Sequence, residues 1–467
     1  MSALALALAG CSSDSNIDSS KSANLNSIQN IVVIYLENRS FDNLFGLFPG
    51  ANGLGPNGTL PAGVAPQIDA KGHVYTVLPD VINTNLKPAA TDNRFPNGQL
   101  ANAPFKIDQY VPLDQATGDL VHRFYASQEQ INGGKNDHFA EVSDAGGLVM
   151  GYYDTRKTRL WKFAEDFTLA DNFFQAAFGG SFLNHFWLVC ACTPTFPNAP
   201  AAMISQTVNA NGQPDPRGRL PRDPNTGKLL GFDKSVTLDG YAVNTTQPFY
   251  KPYAANTPDV NRLPPQTLPT IGDRLSEKGI SWAWYAGGYT EALIGNPDPL
   301  YQFHHQPFVY FKNYADGTDA KKLHLKDEAD LLNDIKDGAL PAVSFYKPIG
   351  KENEHPGYAD VNSGDVKAGQ VIDALIASPQ WQNMAIIVTY DENGGLWDHV
   401  APPKGDRWGP GNRIPAIVIS PYAKRGFVDH TQYDTTSILK LIETRFGLAP
   451  LSARDKNATA LLNAFAF

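Results

Sequence analysis

The segment NMAIIVTYDENGGLWDHVAPP, Asn383–Pro403, decides the fold class. Ala385–Thr389 is a short, apolar, β-branched run, the pattern of a strand buried on both faces. Asp391 and Glu392 follow it, and Asn393-Gly394-Gly395 then makes a turn that lets backbone come close to a ligand. In an open α/β sheet, ligands collect at the carboxyl ends of the strands. Two acids there, with Asp398 and His399 just beyond, suit a metal or acid/base cluster. A polar turn whose side chains only satisfy the backbone would use the same residues.

A second copy of the pattern separates these readings. IQNIVVIYLENRSFDNLFG, Ile28–Gly46, reads as a buried strand over Ile31–Leu36 that runs into Glu37 and Asn38. A helix follows, with Ser40 as N-cap and Phe41 and Leu44 on its apolar face. Laid side by side as parallel strands, the two runs bring Glu37, Asn38, Asp391 and Glu392 together. All four offer oxygen ligands, which suits a hard or borderline divalent cation. Three of them are carboxylates, which without a cation would repel one another strongly.

Working outward, Leu47–Pro112 is rich in Gly, Pro, Asn and Ala and reads as a surface excursion roofing the site. Asp119-Leu-Val-His122 and Asn132–His138 add polar side chains, of which His138 reads as structural. Leu160–Asp166 has helical amphipathicity. Phe167–Phe178, a strand and loop, leads to Gly179-Gly180-Ser181 and an apolar helix over Phe182–Cys192. Ser at this position is most often an N-cap. It is also well placed as a nucleophile, because the glycines remove steric cover and the helix end stabilises a nearby anion. The GxSxG elbow of the α/β-hydrolases is absent. Cys190 and Cys192, read as lying on one helix, point to different faces and are expected to be unbridged buried residues.

Met203–Pro269 reads as a second exposed excursion, followed by a helix over Thr270–Lys278 and a strand over Ile280–Tyr285. His304 and His305 stand in an aromatic segment, YQFHHQPFVYF, that suits a pocket wall. The pattern continues with a helix over Leu325–Gly338, a strand over Ala342–Tyr346 and a loop carrying His355. A helix over Val366–Ser378, a strand over Arg413–Ser420 and a helix over Thr435–Phe446 complete it. Strands alternating with helices predict one α/β domain over residues 28–467.

The chain of 467 residues has a net charge of −9, a pI near 5.6 and no Lys/Arg run, which argues against nucleic acid as a partner. Gly and Pro, 40 and 35 residues, point to long ordered loops. At the start, MSALALALAGCSS places small residues before Cys11 after a short apolar stretch, similar to the lipobox of bacterial lipoproteins. The expectation is a signal segment over residues 1–11, lipidation of Cys11 and a tether over residues 12–27. Export to the periplasm, outer membrane or cell surface follows from it, with the lipid anchor as the only membrane contact.

IVVIYLENRSFDNLFG, INGGKND…VMGYYD, GGSFLNH, His304-His305, Glu354-His355-Pro356 and TYDENGGLWDHVAPP occur in this order. Together they resemble the bacterial phosphoesterase family of AcpA-type acid phosphatases and phosphatidylcholine-type phospholipases C. GGSFLNH and the paired histidines look more like the acid phosphatase branch. The phospholipase branch tends to carry a Thr in a differently flanked turn, twin-arginine signals and extra C-terminal β domains, for which this chain leaves no room.

The resemblance implies an alkaline-phosphatase-like α/β/α sandwich around a largely parallel sheet. It implies Ser181 as nucleophile through a phosphoserine intermediate, and one divalent metal ion held by Glu37, Asn38, Ser181, Asp391 and Glu392. His122, His304, His305 and His355 match residues that line the phosphate pocket. Histidines cationic at mildly acidic pH would fit an acid optimum on small phosphomonoester substrates. The alternatives are phospholipase C action on a phosphodiester, and a lipoprotein that captures phosphorylated ligands without turnover.

Overall fold

A computed structural model describes residues 24–467. The signal segment, most of the tether and Cys11 lie outside the described residues.

Eight strands make the central sheet: β1 (Asn30–Leu36), β2 (Thr168–Ala170), β3 (Trp282–Ala286), β4 (Leu325–Asp327), β5 (Val343–Lys347), β6 (Met384–Tyr390), β7 (Ala416–Ile419) and β8 (Phe427–Asp429). Their spatial order is β4-β3-β5-β1-β6-β7-β2-β8, and β7 alone runs antiparallel to the rest. β1 and β6 are neighbours, paired parallel from Asn30↔Met384 to Leu36↔Tyr390, as the repeated motif requires.

Every residue of β1 and β6 is buried, which is why both read as unbroken apolar runs rather than alternating ones. Each fully buried Val, Ile or Leu contributes about 1.5–3 kcal/mol. A slip of one residue would draw Glu37 into that apolar layer, so the register that aligns the two strand ends is strongly fixed.

Helices cover both faces of the sheet. Arg159–Asp166 and Glu328–Lys336 pack with the long helix Val361–Ala377 in one group. Ser181–Cys190, Ile271–Glu277 and Thr436–Phe446 pack together in the other. The result is an α/β/α sandwich. Among the described residues no helix is long and apolar enough to cross a membrane.

Two expectations change here. Leu325–Asp327, read as the first turn of a helix, is instead edge strand β4, and Asp327 caps the helix that follows. Cys190 and Cys192 are joined by a disulfide, with their Cα atoms 5.1 Å apart. The helix ends at Cys190, and Ala191 turns into the left-handed region at φ 46°, so Cys192 no longer lies on the helix and swings back toward its partner.

Candidate active site

The carboxyl ends of β1, β5 and β6 meet at one point, and the start of Ser181–Cys190 meets them there. Two glycine-dependent approaches assemble the site. A Cβ on Gly394, which has φ +64°, would lie 2.5 Å from the carbonyl oxygen of Asn38, so the turn after β6 can close on the end of β1 only with Gly there. A Cβ on Gly179, at φ +82°, would lie 2.5 Å from the backbone N of Phe124, so the nucleophile turn sits directly on the segment that carries His122.

Gly180 is the N-cap and Ser181 the first helical residue, and no side chain caps this end. The Ser181 hydroxyl is therefore spared the capping role and faces the strand ends. Its Oγ lies 3.1 Å from Glu37 Oε2 and 3.2 Å from Asn38 Oδ1. Asn38 itself sits at φ 59°. Its backbone N–H donates to Asp391 Oδ1 at 3.0 Å, and its side-chain nitrogen lies 3.0 Å from His355 Nε2 and 3.4 Å from His122 Nε2. The Nδ1 atoms of these rings face the carbonyls of Pro356 and Leu120, so in the neutral form each turns an Nε2 lone pair toward the Asn38 amide. That fixes the Asn38 oxygen toward Ser181.

Glu37, Asn38, Ser181, Asp391, Glu392 and the histidines His122, His304, His305 and His355 converge here. His305 Nε2 lies 2.8 Å from Glu37 Oε1, His122 Nε2 lies 3.8 Å from Glu392 Oε1, and His304 packs edge-on against His305 at 4.6 Å between ring centroids. Two residues were missed. Lys347, the last residue of β5, is fully buried, ion-pairs with Glu37 and lies 3.9 Å from Asp391 Oδ2. His185, one turn after Ser181 on the same helix face, stacks on His305 and lies 4.0 Å from Asp391 Oδ2. Both had a signal: SFYK is a third apolar strand ending in a charged residue, and Ser181 and His185 have helical i,i+4 spacing.

The electrostatics set buried carboxylates against one another. Burial pushes the Asp391 carboxyl well above the usual range, with Glu37 adding repulsion; burial and then Asp391 do the same to Glu392. Burial would also raise Glu37, but Lys347 and His305 outweigh it and hold it well below. Asp391 Oδ2 and Glu392 Oε1 are buried without a hydrogen-bond partner. Orphaned carboxylate oxygens beside Ser181 and Asn38 Oδ1 fit a divalent cation. Glu37, Asn38, Ser181, Asp391 and Glu392 are the residues that would hold it.

Burial also lowers His304, His355 and His305, the last to about 4, opposed by Glu37 at His304 and His305 and by Asp119 and then Glu37 at His355. The direction of these shifts runs against imidazolium donors as the origin of an acid optimum.

A cavity of about 640 Å³ opens onto Ser181, His122, His304 and His355. Its outer wall comes from Phe232–Ser235 and Asn244-Thr245, within the excursion read as merely exposed, while Leu47–Pro112 contributes no lining residue. Asp233 explains the exchange. Its carboxylate accepts from the backbone N–H groups of Tyr125 and Ala126 and from Asn244, which clamps the 232–245 segment to the helix start beyond His122. Asp398 and His399 lie outside the site, in a separate cluster with Asp42 and Arg413.

The model of the phosphoesterase family matches residues 28–449. The chain belongs to the phosphoesterase family. Relatives in it include a non-hemolytic phospholipase C of Pseudomonas aeruginosa, 25% identical over 91% of this chain and 55% of the relative. Phospholipase C B of Mycobacterium tuberculosis is 25% identical over 91% of this chain and 74% of its own length. A solved protein of the alkaline phosphatase superfamily from Vibrio parahaemolyticus aligns over 74% of this chain and 73% of its own, at 12% identity and a TM-score of 0.35. The chain spans about half the length of the Pseudomonas aeruginosa relative.

Proposed function

We propose that the chain is a metal-dependent phosphomonoesterase of the acid phosphatase branch, with broad specificity and a phosphoserine intermediate at Ser181. The observation that carries this reading is a helix-start serine with no capping duty, held between Glu37 and Asn38 beside orphaned carboxylate oxygens. A divalent ion bound there lowers the pKa of the Ser181 hydroxyl and neutralises charge on the phosphoryl oxygens.

The remaining work falls to the chain's own groups. His122 and His355 orient Asn38, whose oxygen holds the Ser181 hydroxyl in place. The backbone N–H groups at the start of Ser181–Cys190 face the incoming phosphoryl group. His304 stands on the cavity wall on the leaving-group side, and His305 helps keep Glu37 ionised. Arg123 and Lys234, lining the cavity, add positive charge that a dianionic monoester needs more than a singly charged diester does.

The second reading is a phospholipase C. The chain's similarity to phospholipases C favours it, as do Phe182, Phe232 and Tyr358 beside Asp119 and Asp144 on the cavity wall, which suit a cationic headgroup and an apolar tail.

Wild type and Ser181→Ala are compared on p-nitrophenyl phosphate and on a phosphatidylcholine analogue, with and without chelator. Monoester turnover lost in the variant and after chelation, with phosphate trapped on the Ser181 peptide, supports the phosphatase. Turnover of the lipid alone transfers the assignment to phospholipase C, and activity surviving Ser181→Ala overturns the nucleophile. Lipidation of Cys11 belongs to the same proposal and is read from the mass of the mature N-terminal peptide.

A further inference from the structure

We propose that the Lys347 ammonium is a built-in second cation of the site, which limits it to a single divalent ion. The inference rests on the metal half of the proposed function and not on the identity of the nucleophile or substrate.

Three features of Lys347 carry it. The first is position. Its Nζ stands between two of the three buried carboxylates, paired with Glu37 Oε1 and 3.9 Å from Asp391 Oδ2, and it donates to the carbonyl oxygen of Leu36 at 3.2 Å. Two carboxylate oxygens and a backbone carbonyl are a donor set a hard metal ion would itself accept. The face of Tyr35, 5.1 Å from Nζ, adds a further cation-binding surface.

The second is burial. Lys347 has no solvent exposure, and neither do Glu37, Asp391 and Glu392. A lysine with its stem in the sheet and its head among carboxylates cannot swing out to make room for an ion. It ends β5, which pairs with β1 over Ile31↔Val343 to Ile34↔Tyr346, so backbone pairing fixes where its side chain begins.

The third is the charge sum. The ionised forms of Glu37, Asp391 and Glu392 carry three negative charges, and Lys347 returns one. A single divalent ion closes the balance at zero, whereas two would leave a buried excess of two positive charges, which the low-dielectric interior strongly disfavours. The other buried cation nearby does not enter this sum, because the Arg39 guanidinium is turned to the carbonyl oxygen of Glu354. The orphaned oxygens agree with this division: Asp391 Oδ2 and Glu392 Oε1, just beyond β6, lack a hydrogen-bond partner, while Lys347 stands at the end of β5.

The test reads metal stoichiometry and affinity rather than turnover. Full-length protein is stripped with chelator and titrated with Mn²⁺ or Zn²⁺ by calorimetry, with bound metal counted by elemental analysis. Wild type and Lys347→Arg are expected to bind one ion per chain. Lys347→Met, of similar length and no charge, is expected either to take up a second ion or to bind the single ion at least about tenfold more tightly, since a repelling neighbour has gone.

Two ions per wild-type chain with millimolar or better affinity would overturn the proposal, and so would a Lys347→Met protein with unchanged stoichiometry and affinity. If Lys347→Met does not fold, Lys347→Gln is carried through the same titration, and unchanged stoichiometry and affinity there, or two ions in wild type or Lys347→Arg, overturn the proposal. Ser181→Ala is carried through the same titration. A phosphatase assignment that fails while the one-ion count holds leaves the Lys347 role intact, and a chain that binds no metal removes both.

Discussion

Two sets of buried acids lie within a few residues of each other in the chain, and they are resolved in opposite ways. Glu37, Asp391 and Glu392 are fully buried and leave oxygens without hydrogen-bond partners. Asp42 and Asp398, equally inaccessible, are closed by Arg413. That guanidinium reaches Asp398 at 2.9 Å and Asp42 at 3.0 Å, and spends another N–H on the carbonyls of Asn52 and Asp171. His399 adds a contact to Asp42 at 2.7 Å. Asp42, Asp398 and His399 bring ligand-type atoms close enough together to hold an ion, as do Glu37, His185 and His305 at the open cluster, so composition and proximity do not separate a reaction centre from a structural knot. The difference lies in whether the protein supplies the compensating charge in full.

The largest expected effect is on the open cluster. Glu392→Gln removes a ligand-type oxygen whose neighbour Oε1 has no protein partner, and should lower kcat/KM by about 10³-fold with weakened metal binding in the same titration. Near-normal turnover with normal metal content would show that the comparison picks the wrong cluster.

The closed cluster should fail differently. Arg413→Met leaves Asp42 and Asp398 buried without their partner and should cost about 3–5 kcal/mol in urea unfolding, with no recovery on adding divalent ions. Metal rescue would mean that the arginine only excludes an ion from a second metal site.

A third buried acid uses neither device. The Glu354 carboxyl, at φ 74° just before His355, accepts from the Tyr390 hydroxyl at 2.9 Å, and burial, with Asp365 adding repulsion against the pull of Arg39, pushes it up to about 8. It is held as the neutral acid. Its folded-state pKa is raised above the unfolded value, so the stability it supports is present in full below the unfolded carboxylate range. That stability declines as pH rises from about 4.5 and has been lost once pH passes about 8. Glu354→Gln should flatten that slope and gain stability at pH 8 relative to pH 5, read from unfolding midpoints at the two values. An unchanged slope would place the titration elsewhere.

How much of this was legible follows the same physics. Strands buried on both faces announce themselves as unbroken apolar runs, and a charge at the end of such a run is conspicuous, which is why YLEN, YDEN and Ser181 stood out. Lys347 carried the same signature in SFYK, but a lone lysine reads as solvent-facing until the sheet order puts β5 beside β1. The Asp398–Arg413 closure joins residues whose pairing depends on the antiparallel return of β7, which no local pattern encodes. The disulfide was hidden by Ala191, since a helix is expected to turn left-handed at Gly or Asn rather than Ala. The wall of the cavity was assigned to the wrong excursion because both are Gly/Pro-rich, and only the clamp at Asp233 distinguishes them.

The smallest expected effect tests whether the two clusters communicate. Ser40 stands midway between Asn38 of the open cluster and Asp42 of the closed one. Its hydroxyl accepts from the backbone N–H of Asn43 at 3.2 Å as the N-cap of Phe41–Phe45, and donates to the carbonyl oxygen of Trp397 at 2.8 Å, beside Asp398. Ser40→Ala deletes one cap and one acceptor's partner, a loss of about 1–2 kcal/mol in urea unfolding. Asn38 is held independently, by its N–H to Asp391 and its amide to His355, so kcat should change by less than about twofold. A tenfold or greater fall in kcat at this small cost in stability would mean that the helix start sets the angle at which Asn38 meets Ser181, and that the closed cluster is part of the scaffold positioning the open one.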